Sequence, residues 1–370
     1  MRIMTMLYQY NLNTSIRPKE LFDEFYKRGN EVHYIFVSNN VDLNGICHKL
    51  YDFPFFPRSF PYLIQTFILM ALLNKSRKFD IIITWSLLEG FVSVLFKYIS
   101  GTKVVICIRG DATEVLNLNK GNLIKKTIYT KLLNFIEKFS LNKADGIIFL
   151  SKDNKKRIME RSNLKNASKV KTIYNNVNTN RIKKLSKEQG IYFGFDKVVG
   201  YVGGIGKIKG LIYLLEAIYK VKSEIPNIGL VIVGDGPDKQ ELISIINKLN
   251  LNKNVILTGF KDNPLKYMKG FDLMVLPSIT EAFGYVLLES MYVRTPVFGS
   301  KVGGIPEVLK YDELLFEPRN SAELALKILE IFKNSDSYDN VLNLCNNRKK
   351  EFTFNWEDEM ITTVESFLEG

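Results

Sequence analysis

Short apolar runs alternate with helical patterns along almost the whole chain. Continuous runs rich in Val, Ile and Leu are typical of parallel strands covered on both faces, and the segments between them space their apolar residues as amphipathic helices do. The alternation predicts two doubly wound α/β units, separated by a polar stretch near residues 179–190. The predicted strands are Ile3–Tyr8, Glu31–Val37, Ile81–Trp85, Lys103–Ile108, Gly146–Leu150, Ile173–Tyr174, Val198–Val202, Gly229–Val233, Val255–Thr258, Leu273–Leu276, Thr295–Gly299 and Leu314–Phe316.

One predicted helix, Gly121–Phe139, has two interpretations. Its apolar residues at positions 124, 128, 132, 135 and 139 keep helical spacing, and its lysines fall elsewhere on the wheel. Such a helix either packs its apolar stripe on the core and exposes a solvated lysine face, or lies on an anionic membrane. The other predicted helices are Pro18–Arg28, Gly210–Lys222, Lys239–Leu249, Tyr285–Tyr292, Ile305–Leu309 and Ser321–Lys333.

The length of 370 residues exceeds one ordinary core and predicts two domains, 1–182 and 190–350, followed by a last helix in 351–370. No run reaches the roughly 18 apolar residues of a spanning helix. The first residues form an apolar strand pattern without a small-residue cleavage site, so we expect a cytoplasmic protein. The three cysteines are scattered, which favours neither a disulfide framework nor a zinc site.

Charge is distributed unevenly along the chain. Residues 1–185 carry 30 Lys/Arg and 14 Asp/Glu, a net charge of +16, whereas the remainder carries 21 and 25, a net charge of −4. A basic half favours a polyanionic partner such as a phospholipid surface or a phosphate-bearing substrate. Together with the Pro- and Phe-rich stretch 53–61, it favours peripheral association with the inner face of the cell membrane. Nucleic acid is disfavoured because no predicted sheet face interleaves aromatic and basic residues.

Glycine-rich turns follow several predicted strands of the second half, where open α/β sheets bind ligands. The strand ending at Val202 runs into Gly-Gly204-Ile-Gly-Lys207-Ile-Lys209-Gly and then a helix. Glycines permit close backbone approach, and a helix N-terminus with lysines favours an anion. The pattern is neither GxGxxG nor a P-loop. It predicts a phosphate site of another kind, and the alternative is a tight turn with surface lysines.

Two acids, Glu281 and Glu289, stand at the two ends of a predicted strand-to-helix turn. The backbone N–H groups of Phe283, Gly284 and Tyr285 suit a diphosphate, and each carboxylate can accept two hydroxyls of a sugar or ribose. Glu289 lies in Val-Leu-Leu-Glu-Ser-Met, and an acid among apolar neighbours needs a partner.

These motifs resemble the retaining glycosyltransferase family 4. The resemblance is carried by Glu281-x7-Glu289 with Gly303-Gly-Ile-Pro-Glu307, and by the segments Val202–Gly210, Val231–Pro237, Tyr174–Asn178 and Phe354–Trp356. It implies the GT-B fold: two Rossmann-like domains facing a central cleft, an N-terminal acceptor domain, a C-terminal nucleotide-sugar domain, and a last helix that returns to the first domain.

The resemblance also implies a reaction. A sugar would move from a nucleotide-diphosphate sugar to a glycan or lipid-linked acceptor in cell-envelope polysaccharide or glycoconjugate synthesis. Glu281 would contact the donor sugar and Glu289 the ribose hydroxyls. Lys209 and the loop backbone would bind the diphosphate, so that neither a metal nor another cofactor is expected.

Two positions depart from the family pattern. Gly204 stands where the family commonly has Arg, a charge that Lys207 would supply instead. Arg109-Gly-Asp111 stands where the family commonly has His, and a guanidinium cannot act as a base near neutral pH. We expect Arg109 to grip an anionic acceptor and Asp111 to orient it or accept a proton; the alternative is an Arg109–Asp111 turn pair.

The two departures leave open a catalytically silent sugar-nucleotide-binding subunit. A GT-B epimerase is a further alternative, although neither His33 nor His48 lies after a strand end. Neither histidine is predicted to be catalytic: His33 is expected to be a packed residue within its strand, and His48 falls in an irregular stretch.

Overall fold

The computed structural model describes residues 1–7, 16–36, 44–49, 59–113 and 123–369. They form two compact units, one reaching to Tyr174 and resuming at Asn355, the other spanning Asn175–Phe354. The sequence places the end of the first domain at residue 182, whereas the contacts already assign Asn175 to the second unit. The stretch 53–61, predicted to favour a membrane, lies largely outside the described residues.

The first unit is built on a parallel sheet whose central strands are buried throughout. Its strands are β1 (Arg2–Leu7), β2 (Glu31–Phe36), β3 (Ile46–Lys49), β4 (Ile81–Thr84), β5 (Lys103–Ile108), β6 (Gly146–Phe149) and β7 (Val170–Thr172). Its helices are α1 (Ile16–Lys27), α2 (Ser59–Ser76), α3 (Leu87–Ser100), α4 (Leu123–Lys143), α5 (Lys152–Ser162) and α14 (Trp356–Glu369). The strand order among the described residues is β3-β2-β1-β4-β5-β6-β7.

This strand order places the helices on opposite faces of the sheet. The connection through α1 crosses the sheet in one direction, whereas those through α2, α3, α4 and α5 advance in the other. Because such crossovers are right-handed, α2–α5 form one layer and α1 lies on the opposite face. Helix α14 packs on α1, where the Arg17 guanidinium lies 5.0 Å from the centre of the Trp356 ring and 3.3 Å from Glu357. The last helix therefore belongs to the first unit, as the resemblance predicts.

Helix α4 buries a different stripe from the one that its sequence suggests. Ile136, Glu137, Ser140 and Leu141 are buried, whereas the apolar positions 128, 132 and 135 are exposed. The interpretation in which the predicted stripe packs on the core is therefore wrong for these three positions. Neighbouring helices α3 and α5 cover one side of α4 and leave the other side to solvent.

The second unit is a second parallel sheet with the order β10-β9-β8-β11-β12-β13. Its strands are β8 (Lys197–Val202), β9 (Ile228–Val233), β10 (Val255–Gly259), β11 (Leu273–Leu276), β12 (Val297–Ser300) and β13 (Leu315–Phe316). Its helices are α6 (Thr179–Leu185), α7 (Leu211–Val221), α8 (Lys239–Lys248), α9 (Leu265–Met268), α10 (Tyr285–Tyr292), α11 (Ile305–Leu309), α12 (Ser321–Lys333) and α13 (Ser335–Lys350).

Two strands differ from the sequence prediction. The predicted strand Ile173–Tyr174 is wrong: the last strand of the first sheet is β7, which ends at Thr172. Strand β3 was not predicted, because Ile-Cys-His-Lys lacks the apolar run of a buried strand and pairs only at the sheet edge. In the part of the chain that the structure describes, none of the helices combines the length and the hydropathy needed to cross a membrane.

Candidate active site

Three loops meet at the carboxyl ends of neighbouring strands in the second unit. They follow β8 (203–210), β11 (277–284) and β12 (301–304), which lie side by side in the sheet. The N–H of Ile279 donates to the carbonyl of Ile208 at 2.7 Å, and the N–H of Gly304 donates to the carbonyl of Glu281 at 3.1 Å. The main chain therefore joins the three loops into one structure.

Two glycines make this approach possible. Gly210 and Gly303 have φ values of +62° and +53°, in the left-handed region. A Cβ atom on Gly210 would overlap the carbonyl oxygen of Pro277, and one on Gly303 would overlap that of Glu281. A side chain at either position would both strain the backbone and separate the loops.

Lys209 and Glu281 form an ion pair where the loops meet. The Lys209 Nζ lies 2.8 Å from a Glu281 carboxylate oxygen, and both side chains are partly exposed. The carboxylate also accepts hydrogen bonds from Ser278 Oγ at 3.3 Å and from the N–H of Ala282 at 3.2 Å. The acid and the lysine that sequence analysis assigned to the donor are thus brought together within one unit.

Tyr201 supports the loop after β8 through a hydrogen bond to the loop's main chain. Its buried hydroxyl donates to the carbonyl of Gly204 at 2.7 Å, and burial, then the nearby Glu281 charge, raise the pKa of the phenol. Gly204 itself is exposed at the loop surface. Lys207 was predicted to replace the family's arginine here, but its Nζ lies 3.9 Å from Glu241 of α8. Of these two lysines, only Lys209 lies beside Glu281.

Helix α10 begins directly after this loop. Phe283 is buried and packs edge-to-face on Phe352, with ring centroids 6.0 Å apart. Gly284 follows with a φ of +89° and turns the chain into the helix, whose first residue is Tyr285. The three predicted diphosphate-binding positions therefore stand at a helix N-terminus, where backbone N–H groups and the helix dipole favour an anion.

Glu289 lies inside α10 and is 5% exposed. A guanidinium nitrogen of Arg181 lies 3.4 Å from its carboxylate. Arg181 is held at the start of α6 by Asn178, whose side chain accepts its backbone N–H at 2.9 Å. Sequence analysis missed Arg181: the apolar surroundings of Glu289 signalled that a partner was needed, but not that it lay more than 100 residues away.

The first unit carries both predicted acceptor residues, Arg109 and Asp111, directly after β5. Arg109 follows β5, is half-buried, and makes no hydrogen bond or ion pair with another described residue. Burial lowers the pKa of its guanidinium, while the nearby Cys107 and Glu89 partly offset that effect. Glu89 is buried after β4 and accepts the N–H of Trp85 at 3.3 Å. The Arg109 guanidinium is therefore a cation in surroundings that solvate it poorly.

Asp111 does not pair with Arg109. Its buried carboxylate accepts hydrogen bonds from Arg157 at 3.1 Å and from Arg161 at 2.9 Å, both from α5. Arg161 also lies 2.6 Å from the buried Glu137 of α4. The alternative of an Arg109–Asp111 turn pair is wrong, and Asp111 ties the loop after β5 to α5.

The two histidines lie within strands β2 and β3. His33 is fully buried, shares a hydrogen bond of 2.9 Å with His48, and packs edge-to-face on Phe79. His33 is a packed residue, as predicted, whereas His48, predicted to lie in an irregular stretch, belongs to β3 and is partly exposed. Within the described ranges, no group of three His, Cys, Asp or Glu side chains is placed to hold a metal ion.

Comparison with known families and proteins places the chain among glycosyltransferases. Residues 181–350 match the family model of glycosyl transferases group 1, and residues 18–181 match that of glycosyltransferase family 4. The N-acetyl-alpha-D-glucosaminyl L-malate synthase of Bacillus anthracis is 25% identical over 337 residues, covering 87% of this chain and 85% of that protein.

Two further proteins bear on the fold and the family. An N-acetylgalactosaminyltransferase of Campylobacter jejuni that is named for a diphospho-undecaprenol acceptor is 32% identical over 192 residues, covering 52% of this chain and 49% of its own length. The Anabaena protein HepE, solved in complex with UDP and glucose, superposes with a TM-score of 0.78 at 17% identity, covering 99% of this chain and 100% of HepE. With the GT-B fold, the Glu281-x7-Glu289 spacing and both family models in agreement, the chain belongs to glycosyltransferase family 4 and is a glycosyltransferase.

Proposed function

We propose that this enzyme transfers a sugar, with retention of its anomeric configuration, from a nucleotide-diphosphate sugar to a glycan or lipid-linked acceptor in cell-envelope glycoconjugate synthesis. One observation carries the proposal: the Lys209–Glu281 pair stands on three interlocked loops beside the N-terminus of α10. Lysine and a helix N-terminus suit a diphosphate, and a carboxylate suits the hydroxyls of a sugar.

Donor binding would exchange partners within this pair. In the structure, the Lys209 ammonium and the Glu281 carboxylate lie 2.8 Å apart and compensate each other's charge. The diphosphate would form an ion pair with Lys209, and the sugar hydroxyls would donate hydrogen bonds to the Glu281 carboxylate. During transfer, the lysine and the N–H groups at Gly284 and Tyr285 would stabilise the charge that develops on the leaving nucleotide. Because these groups meet the diphosphate charge, we expect transfer to need no metal.

The remaining donor contact is assigned to Glu289. Its carboxylate would accept the ribose hydroxyls, while Arg181 at 3.4 Å keeps it oriented and compensates its burial. In the retaining reaction of this family, the acceptor hydroxyl attacks on the face that the leaving phosphate vacates, and the phosphate oxygen takes the hydroxyl proton. Neither Glu281 nor Glu289 needs to act as a base in that scheme.

The acceptor is proposed to be anionic. Arg109 is a half-buried cation without an ion pair among the described residues, and an anion would compensate its burial. The relatives named above act on malate and on a diphospho-lipid, both of which carry negative charge. Both carboxylate oxygens of Asp111 already accept hydrogen bonds from the guanidinium groups of Arg157 and Arg161. Asp111 therefore suits orientation of the Arg109 loop better than proton transfer.

A lipid-linked acceptor would place the reaction at the inner face of the cell membrane, on an anionic lipid surface. The exposure of the apolar stripe of α4 supports this location, since the stripe has no protein core to cover it.

The test is transfer itself, measured with a panel of nucleotide sugars and anionic acceptors. We expect one donor to bind in the micromolar range and to yield a product whose glycosidic linkage keeps the donor's anomeric configuration by NMR. Glu281→Gln should reduce turnover by about 100-fold or more, whereas the exposed Glu241→Gln should not change it. Nucleotide-sugar binding without transfer would indicate a catalytically silent subunit. Conversion of the donor sugar into its epimer would indicate an epimerase. A product with inverted anomeric configuration would contradict the retaining reaction.

A further inference from the structure

The four-helix layer, α2–α5, exposes most of the chain's large apolar side chains that reach solvent. Ten of the 17 exposed large apolar residues in the described ranges lie on α2, α3 and α4, between 38% and 66% exposed. Contiguous apolar surface of this kind marks an interaction site. The helices lie side by side, because α3 packs on both α2 and α4, and α4 packs on α5.

On α2 and α3, the exposed residues form ordered stripes. Ile64, Ile68 and Leu72 follow one another at four-residue intervals along α2 and are 47%, 52% and 61% exposed. Tyr98 and Ile99 of the adjacent α3 are still more exposed. Residues four apart share one helix face, so this surface is one side of each helix facing outward.

On α4, the apolar face alternates with lysines. Ile128, Leu132 and Phe135 are between 50% and 61% exposed, and Lys131 and Lys138 beside them are exposed too. The only acid of this helix, Glu137, is buried and paired with Arg161 of α5. Among the described side chains, the outward side of α4 therefore exposes apolar residues and lysines but no acid.

Charge distinguishes the two faces of the first unit. Helices α2–α5 carry twelve Lys/Arg and four Asp/Glu, a net charge of +8. Two of those four acids, Glu89 and Glu137, are buried, and a third, Asp153, is paired with Arg157. Helices α1 and α14 on the opposite face carry three basic and eight acidic residues, a net charge of −5. The basic excess of this half thus belongs to the same layer as the exposed apolar residues.

A recess at the edge of the layer extends the basic surface. Lys152, Lys155 and Lys156 of α5 line it together with Lys171 of β7, and the rest of the lining is Met159, Val170 and Thr172. Its volume is about 510 Å³. A lining of lysines and apolar side chains suits a phosphate headgroup with the beginning of an acyl chain.

We propose that the four-helix layer is a docking surface for an anionic lipid bilayer, with the apolar stripes of α2, α3 and α4 in the interface and the lysines of α4 and α5 on the headgroups. Apolar side chains next to lysines are the combination that binds such interfaces. A second copy of the chain is a poorer occupant, since two faces of +8 repel each other. The inference deepens the proposed function and rests on it for the lipid-linked nature of the acceptor.

The test is co-sedimentation of the full-length enzyme with vesicles of phosphatidylcholine alone or mixed with phosphatidylglycerol, at low and high salt. We expect binding only to the anionic vesicles, weakened by salt. Ile128→Ser/Leu132→Ser/Phe135→Ser should weaken it about tenfold, and Lys131→Glu/Lys138→Glu by a similar factor. Ile68→Ser/Tyr98→Ser probes the stripes on α2 and α3 independently. All three variants change exposed residues only.

The matched control is Tyr26→Ser/Lys27→Glu, which removes an exposed aromatic residue and a lysine from α1 on the opposite face. Vesicle binding should not change in this variant. Equal losses in the control, binding that ignores lipid charge, or a dimer that the α4 variants abolish would overturn the proposal. Nucleotide-sugar binding, measured without lipid, separates the two hypotheses: its absence beside intact vesicle binding contradicts the donor site and leaves the docking surface standing.

Discussion

The carboxyl ends of the two sheets carry different kinds of site. In the second unit, the loops after β8, β11 and β12 are shaped by main-chain contacts through Gly210 and Gly303, and the Lys209–Glu281 ion pair between them is partly exposed. In the first unit, the loop after β5 holds the half-buried Arg109 and the buried Asp111. We propose that the difference reflects two ligands: a diphosphate bound by close backbone approach, and an anionic group bound by a guanidinium.

The largest effect is expected at the interlocked glycines. Gly303→Ala places a Cβ atom into the carbonyl oxygen of Glu281 at a positive φ, so we expect it to destabilise the second unit by about 3 kcal/mol and to abolish transfer. Gly204→Ala is the control, because its Cβ atom would meet nothing nearer than 3.9 Å. Urea unfolding followed by circular dichroism measures both; equal stability of the two variants would contradict the interlocked-loop account.

Removal of the partner of Glu289 should have the next largest effect. Arg181→Met leaves a buried carboxylate without that cation, and we expect donor binding to weaken by about 2 kcal/mol, or roughly 30-fold. Arg181→Lys keeps the charge and should restore part of the affinity. The ribose role is tested with 2′- and 3′-deoxyribose nucleotides, which the wild type should bind more weakly than the ribose forms. An Arg181→Met variant that still prefers the ribose nucleotide over the deoxyribose nucleotides as strongly as the wild type would contradict the proposed link between Arg181 and Glu289.

Arg109 tests the other side of the comparison. Arg109→Met should raise the KM for an anionic acceptor about tenfold, which corresponds to about 1.4 kcal/mol, and leave donor binding unchanged. The conservative Arg109→Lys should fall in between, because lysine keeps the charge but loses the guanidinium fork. Steady-state kinetics, with the acceptor and donor concentrations varied separately, measure the two KM values. A change in donor KM alone would contradict the assignment of Arg109 to the acceptor.

The smallest expected effect concerns pH and the first unit alone. Burial first, then the charge of His33 and that of Arg77, lower the pKa of His48. Its neutral ring therefore contributes stability that is fully present above about pH 6.5, the ordinary histidine value, and is lost as pH falls through the lowered pKa. We expect the loss to be below about 1 kcal/mol.

The measurement of this loss uses the two tryptophans. Trp85 and Trp356 both belong to the first unit, so fluorescence-detected urea unfolding reports on that unit. The midpoint should fall between pH 7.5 and pH 5.5 in the wild type and less so in His48→Gln. An equal fall in both proteins would show that another group is responsible.

The second unit was the easier half to predict from the sequence. Its strands are continuous apolar runs, and the glycines after them indicate loops that approach one another closely. Lys209 and Glu281 were therefore found from the local sequence pattern. Arg181 was not found, because the pairing of α6 with α10 depends on the tertiary fold. Lys207 looked equivalent to Lys209 in the sequence. In the 3₁₀ turn Lys207–Lys209, however, the side chain of Lys207 lies near Glu241 and that of Lys209 pairs with Glu281.

The first unit shows what periodicity leaves open. The spacing of Ile128, Leu132 and Phe135 predicts a common helix face, but not which neighbours cover that face; the structure leaves it exposed. For Asp111, the nearest cation in the sequence is Arg109, whereas α5 brings Arg157 and Arg161 to it from more than forty residues away. Strand β3 escaped prediction because an edge strand need not be apolar.

The most direct test of the donor site compares the two lysines of one turn. Nucleoside diphosphates and nucleotide sugars would be titrated calorimetrically into the wild type, Lys209→Met and Lys207→Met. We predict micromolar binding of one nucleotide to the wild type, about a tenfold loss in Lys209→Met, and no change in Lys207→Met, whose side chain lies beside Glu241. Equal affinities in all three proteins, or no nucleotide bound by the wild type, would contradict a diphosphate site at these loops.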